Sequence, residues 1–145
     1  MSAEQEQINF FSETDFNFKD EDAHRQWLER VIDSEGKSID EINFVFCDDD
    51  YLHKINLQYL DHDTYTDIIS FDNSVEDQLA GDIFISVARV KENAQEFNVD
   101  FEEELKRVLV HGILHFCGFR DKTESERELM RQKEDEKIAM FHVEQ

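Results

Sequence analysis

Apolar positions along the chain switch between two periods, and the switches mark the elements. Ile8 to Phe11 (INFF) is a short apolar run that predicts a strand. Between Lys19 and Ser34, the residues Trp27, Leu28, Val31 and Ile32 fall at helical spacing, and Gly36 follows as a stop signal. Ile42 to Cys47 (INFVFC) is rich in β-branched and aromatic residues and predicts a second strand. Asp48 and Asp49 suit the cap of a helix that carries Leu52, Ile55, Asn56 and Tyr59. A polar loop, Asp61 to Tyr65, leads into a third strand at Thr66 to Phe71 (TDIISF). An acidic connection from Val75 to Ala80 then reaches Gly81, which opens a fourth strand, Asp82 to Ser86 (DIFIS).

The second half of the chain reads as helices. Ser86 is placed to cap one with Val87, Val90 and Ala94 on one side. Asp100 starts another, and Glu103 three residues later completes a capping-box pattern. That helix runs through Leu105, Val108, Leu109, Gly112, Ile113 and Phe116. Its second half is apolar nearly all round, which predicts a place in the core. Gly118 ends it, where a left-handed residue is wanted. Thr123 and Glu126 form a second capping-box pattern, for a charged helix reaching about Phe141.

Four strands interspersed with helices imply one sheet with helices packed on it. The strands at 66–71 and 81–86 are too close together for a helical crossover, so they are expected to be antiparallel neighbours. Periodicity does not give the order of the strands.

Length and composition narrow the class. The chain of 145 residues has the size of one compact domain, 1–145, with no linker or repeat in it. Thirteen Phe among 39% hydrophobic residues supply a core. No apolar run is long enough to span a bilayer, and the polar, acidic start is unlike a signal peptide. Two cysteines, Cys47 and Cys117, make no disulfide framework, which suits a reducing cytoplasmic compartment. The net charge of -21 disfavours sequence-independent binding of nucleic acid over a broad surface. A nucleic-acid role therefore requires a local basic patch, a metal ion or a partner complex.

Candidate chemistry concentrates at positions 111 to 122, HGILHFCGFRDK. His111 and His115 stand at i and i+4, so both imidazoles leave one face of the predicted helix. That spacing suits two ligands of one ion. Gly118 lets the chain turn back, and the carboxylate of Asp121 becomes the candidate third ligand. Three protein ligands leave an open position for water, the arrangement of a catalytic rather than a structural site. The residue after the first histidine is Gly112, so the glutamate of an HExxH protease is missing.

The string HGILHFCGF closely resembles the signature of the YbeY family of metal-dependent endoribonucleases, which runs His-Gly-x-Leu-His, two residues, Gly, an aromatic, Asp, His. Other blocks match in the same order. Ile55, Asn56, Tyr59 and Thr66-Asp67-Ile68-Ile69-Ser70-Phe71 resemble the family's Leu-Asn-x-x-Tyr and Thr-Asp-Val-Leu-Ser-Phe block. Gly81-Asp82-Ile83-Phe84-Ile85 resembles its Gly-Asp-Ile strand, and Met130, Glu134 and Ile138 match its last helix. The resemblance implies a single-domain α+β fold with a four-stranded sheet and one zinc-type ion in a cleft. It implies single-strand-specific endoribonuclease activity in ribosomal RNA 3′-end maturation and ribosome quality control. It also implies work with the small ribosomal subunit and a ribosome-assembly GTPase.

Two departures from the pattern stand out. Asp121 takes the place of the family's third histidine, with Arg120 where the family has Asp. A carboxylate is a competent ligand, but it lowers the positive charge of the centre and is expected to weaken activation of bound water. Two histidines and one carboxylate also resemble a non-haem iron set, so another divalent transition metal is an alternative to zinc. Leu60 takes the place of an arginine tied to activity in the family. The candidates to supply a phosphate contact are Lys54, Lys106, Arg107, Arg120 and Lys122, with Arg120 and Lys122 flanking Asp121.

Cys117 points away from His115 on a helix and is read as core, as is Cys47. His62 sits in a loop that can approach the cleft, while His24, His53 and His142 read as ordinary helix residues. Asp67 and Asp82 interrupt apolar strands and read as structural hydrogen-bond acceptors. No general acid or base is evident. Two other functions remain: a non-catalytic ribosome-assembly factor with a structural or vestigial metal, and a metal-dependent hydrolase of another substrate.

Overall fold

The computed structural model describes residues 7–61 and 65–142. His62 lies outside the described residues, so its approach to the cleft is left as an expectation. The elements run β1 (Ile8–Ser12), α1 (Glu21–Ser34), β2 (Ser38–Cys47), α2 (Asp49–Leu60), β3 (Ile68–Asp72), β4 (Gln78–Ser86), α3 (Val87–Glu96), α4 (Phe101–Phe116) and α5 (Glu124–Ala139). A 3₁₀ turn, Met140–His142, follows α5.

The sheet order is β1-β2-β4-β3. β1 pairs β2 in parallel and β2 pairs β4 in parallel, while β3 pairs β4 antiparallel. The antiparallel pair is the one expected from the short connection between β3 and β4. Parallel neighbours need a long crossover, and α1 supplies it between β1 and β2. β2 and β4 both start earlier than the apolar runs suggest. Ser38 to Glu41 pair with Gln78 to Ala80 across a register shift, and within this mostly polar extension Leu79 is buried in the core with Ile39 packed against it.

Side chains alternate between the two faces of the sheet. Ile42, Phe44 and Phe46 of β2 and Ile83 and Ile85 of β4 face a core shared with Trp27, Leu28 and Val31 of α1 and with Val87 and Val90 of α3. Leu105, Leu109, Val110, Ile113 and Leu114 of α4 complete it, with Met130 and Ile138 of α5. Burying each such side chain contributes about 1.5–3 kcal/mol. The opposite face is covered over Cys47, Ile69, Phe71 and Phe84 by Leu52 and Ile55 of α2.

α4 is the buried helix its sequence predicts. Gly112 lets it approach the sheet closely: a Cβ there would lie 2.9 Å from Cδ1 of Ile83 and 3.3 Å from Cδ1 of Ile68. That close seat fixes the height of the neighbouring His111 above β3 and β4.

The helix caps follow the sequence in three cases and depart from it in one. Asp48 accepts from the Tyr51 N–H at 2.8 Å, and Ser86 accepts from the Arg89 N–H. Thr123 and Glu126 make the full capping box of α5. Asp100, by contrast, has N-cap backbone geometry but no side-chain cap bond. Three consecutive glutamates at 102–104 already place negative charge against the N-terminal dipole of α4.

Candidate metal centre and cleft

The C-terminal end of α4 builds the site. Gly118, with φ of 108°, takes the chain out of the helix. The N–H of Gly118 donates to the carbonyl of His115 and that of Phe119 donates to Leu114, both at 3.0 Å. This paired closure is the Schellman pattern, and it directs the following residues back past the last helical turn. Asp121 returns to the histidines as a result.

Three side-chain atoms converge there. Nε2 of His115 lies 3.1 Å from Nε2 of His111 and 3.2 Å from Oδ2 of Asp121. Nε2 of His111 lies 3.3 Å from the same carboxylate oxygen. All three residues are half-buried, and they form a group able to hold a metal ion. Cys117 is not among its members and packs against the core instead, as the sequence suggests. Burial pushes the Cys117 thiol up to about 11, so it is a thiol rather than a thiolate at neutral pH.

Glu134 fixes one of the imidazoles. Its Oε2 lies 2.6 Å from Nδ1 of His111, and its Oε1 accepts from Nη1 of Arg107 at 2.9 Å. A carboxylate at Nδ1 places the ring proton there in the neutral imidazole and leaves Nε2 bare, aimed at His115 and Asp121. Burial opposes charging of His111, but the bond and charge of Glu134, with Asp121 and Asp67 behind them, outweigh it and raise its pKa. The donor set thus passes a test of fit. Two ring nitrogens and a carboxylate oxygen face one another at contact distance, and one cation between them satisfies all three.

The centre opens on a cleft of about 350 Å³. Glu104, Arg107, Val108 and His111 form its floor as one stripe of α4, and Asp67 and Ile68 enter from the start of β3. Asn93 and Phe97 line it from α3, and Arg131 and Glu134 from α5. Asp67 is half-buried, and its desolvation raises its pKa against the pull of His111. Its carboxylate accepts from the Asn93 side-chain amide at 3.2 Å. Asp82 likewise accepts from Asn43 at 3.0 Å.

Among the basic candidates, only Arg107 lines the cleft. Arg120 and Lys122 are exposed on the loop around Asp121, outside the cleft lining. Lys106 is buried, with its ammonium 4.4 Å from the Phe141 ring. Lys54 and Leu60 on α2 lie outside the lining as well. Sequence reasoning missed the role of Glu134 and the presence of Arg131. The signals were the match of Glu134 to the family's last helix and the spacing of three on α5, which puts the two on one face.

Fold and site together define an α+β protein with a three-ligand candidate metal centre at the end of a core helix. The family model described as Endoribonuclease YbeY matches residues 7–142, and this chain belongs to the YbeY family. It is 67% identical to the Endoribonuclease YbeY of Christiangramia forsetii, over 98% of this chain and 99% of that one. The Flavobacterium johnsoniae protein of the same name is 64% identical over 95% of this chain and 99% of its own. The solution structure of a Thermotoga maritima protein superposes with a TM-score of 0.67 at 27% identity, covering 92% of this chain and 88% of the other.

Proposed function

We propose that this chain, as one domain over 1–145, is a metal-dependent endoribonuclease specific for single strands. Its proposed task is ribosomal RNA 3′-end maturation and ribosome quality control in the cytoplasm. The proposed partners are the small ribosomal subunit and a ribosome-assembly GTPase. Family membership and the shared name of its relatives support the activity. Among the described residues no helix is long and apolar enough to cross a membrane.

The observation that carries the reading is the convergence of His111, His115 and Asp121. Their mutual separations of 3.1, 3.2 and 3.3 Å are those of one face of a small coordination polyhedron. Zinc bonds of about 2.0–2.1 Å give tetrahedral edges of about 3.3 Å, so zinc is the proposed ion, with another divalent transition metal as the alternative. A divalent ion so held supplies Lewis acidity and a nucleophile at neutral pH. The chain itself does the positioning. Glu134 orients His111, α4 gives two ligands a stiff platform, and the Gly118 bend brings in the third.

Purified protein, metal-loaded, should cleave single-stranded RNA. His115→Ala and a chelator should each abolish the cleavage. Cleavage unchanged in the His115→Ala variant would place the activity elsewhere. No cleavage by fully loaded wild-type protein would favour the non-catalytic assembly-factor reading.

A further inference from the structure

We infer that the cleft beside the metal centre is a subsite for one unpaired nucleotide, with its base stacked on Phe97 and its phosphate paired with Arg131. This deepens the endoribonuclease reading and rests on it.

Phe97 is the first observation. The core face of α3 is Val87, Val90 and Ala94, and Phe97 at the end of the helix stays 53% exposed. Exposed phenylalanines are common singly and need no explanation. This one lines the same cleft as His111 and Asp121, on the face of α3 that also carries Asn93. An exposed ring at the wall of a polar cleft offers a flat apolar surface to a planar ligand.

Arg131 is the second. The cleft holds four carboxylates, Asp67, Glu104, Asp121 and Glu134, against two guanidinium groups. Arg107 is occupied: it donates to Glu134 at 2.9 Å and to Asp135 at 2.7 Å. Arg131 is exposed and makes no hydrogen bond or ion pair to another described residue. It is therefore the cleft cation left for a ligand. A planar guanidinium presents paired N–H donors that match the two free oxygens of a phosphodiester.

The two features together select a chemical class. A base inside a duplex has both faces covered by its neighbours, whereas an unpaired base can stack on an aromatic side chain. A cleft of about 350 Å³ is at the lower end of small-ligand sites, suited to a single residue of a strand. Stacking is indifferent to sequence because every base has a π-face. The subsite thus distinguishes unpaired from paired RNA and reads little of base identity. It also gives the acidic chain a local hold on RNA.

The test measures binding of a short single-stranded RNA with 2′-O-methyl groups, which resists cleavage, to the metal-loaded protein by fluorescence anisotropy. Phe97→Ala should weaken binding about 5-fold or more, and Phe97→Tyr should restore it. Arg131→Gln should reduce the slope of log affinity against log salt by about 0.7. Removing one base from the RNA should weaken binding to wild type but not further weaken binding to Phe97→Ala. Metal content should be the same in all variants. Equal affinity of wild type, Phe97→Ala and Arg131→Gln would overturn the subsite and leave the endoribonuclease reading standing. No binding by metal-loaded wild type, together with no cleavage of unmodified RNA, would overturn both.

Discussion

Nδ1 of His111 and Oε2 of Glu134 are 2.6 Å apart, although 23 positions separate the two residues in the chain. The contact joins α4 to α5 and holds one ring of the candidate metal centre in a single orientation. Glu134→Ala should lower metal affinity by about 10- to 100-fold. Glu134→Gln keeps an oxygen that can accept from Nδ1–H and should lose less. Competition with a chelator of known affinity measures both. Equal affinity in wild type and the Ala variant would remove Glu134 from any supporting role.

Asp121 is the candidate ligand supplied by the loop, and its oxygen faces both imidazoles. Asp121→Ala should reduce metal content, while Asp121→His should preserve it. Metal analysis after dialysis against limiting zinc decides. Identical metal content in wild type and Asp121→Ala would exclude this carboxylate from coordination.

Gly118→Ala tests the bend itself. A side chain at φ 108° is strained, although nothing lies within 4 Å of its Cβ position. The expected cost is about 1–3 kcal/mol, read as a lower urea midpoint. The loop that delivers Asp121 should shift with it, so metal affinity should fall in parallel. A variant with unchanged stability and affinity would show that the bend tolerates ordinary residues.

His24 gives a pH dependence away from the site. Burial among Phe18, Trp27 and Phe141 lowers its pKa, and the bond from Nδ1 to the Asp20 carbonyl only partly offsets this. Nε2 has no partner among the described residues. An unfolded imidazole takes up a proton near pH 6.5, while the folded one does so only at lower pH. The unfolded state then binds more protons, so stability present above that pH is lost as the pH falls through it. The stability of wild type should drop between pH 7.5 and 5.5 by more than that of His24→Phe. Urea midpoints at the two pH values measure the difference, and parallel losses would remove His24 as the cause.

Much of this was written in the sequence, and the exceptions share a cause. The i, i+4 histidines, the glycine stop and the caps at Asp48, Ser86 and Thr123 are local, so spacing alone reveals them. The three candidate ligands fall between positions 111 and 121, which made the candidate centre itself legible. Strand order was not, because β2 lies between β1 and β4 only by virtue of long-range pairing. The starts of β2 and β4 are mostly polar, and the register shift between Ile39 and Glu41 breaks the alternation of β2 there. Glu134 stood in a recognised family block, but its bond to His111 depends on how α5 lies against α4. Arg131 lies on the charged helix that the sequence predicts, and only the packing of three helices brings it to a shared cleft.

Because all three candidate ligands hang from one helix end and the bend just beyond it, their mutual spacing is set within one short stretch of backbone. A tilt or slide of α4 would carry that spacing along while straining the bond from His111 to Glu134 on α5. What such a motion alters is the reach between that trio and the walls contributed by α3 and α5. Distant substitutions should therefore retune which strands of RNA fit long before they dislodge the ion.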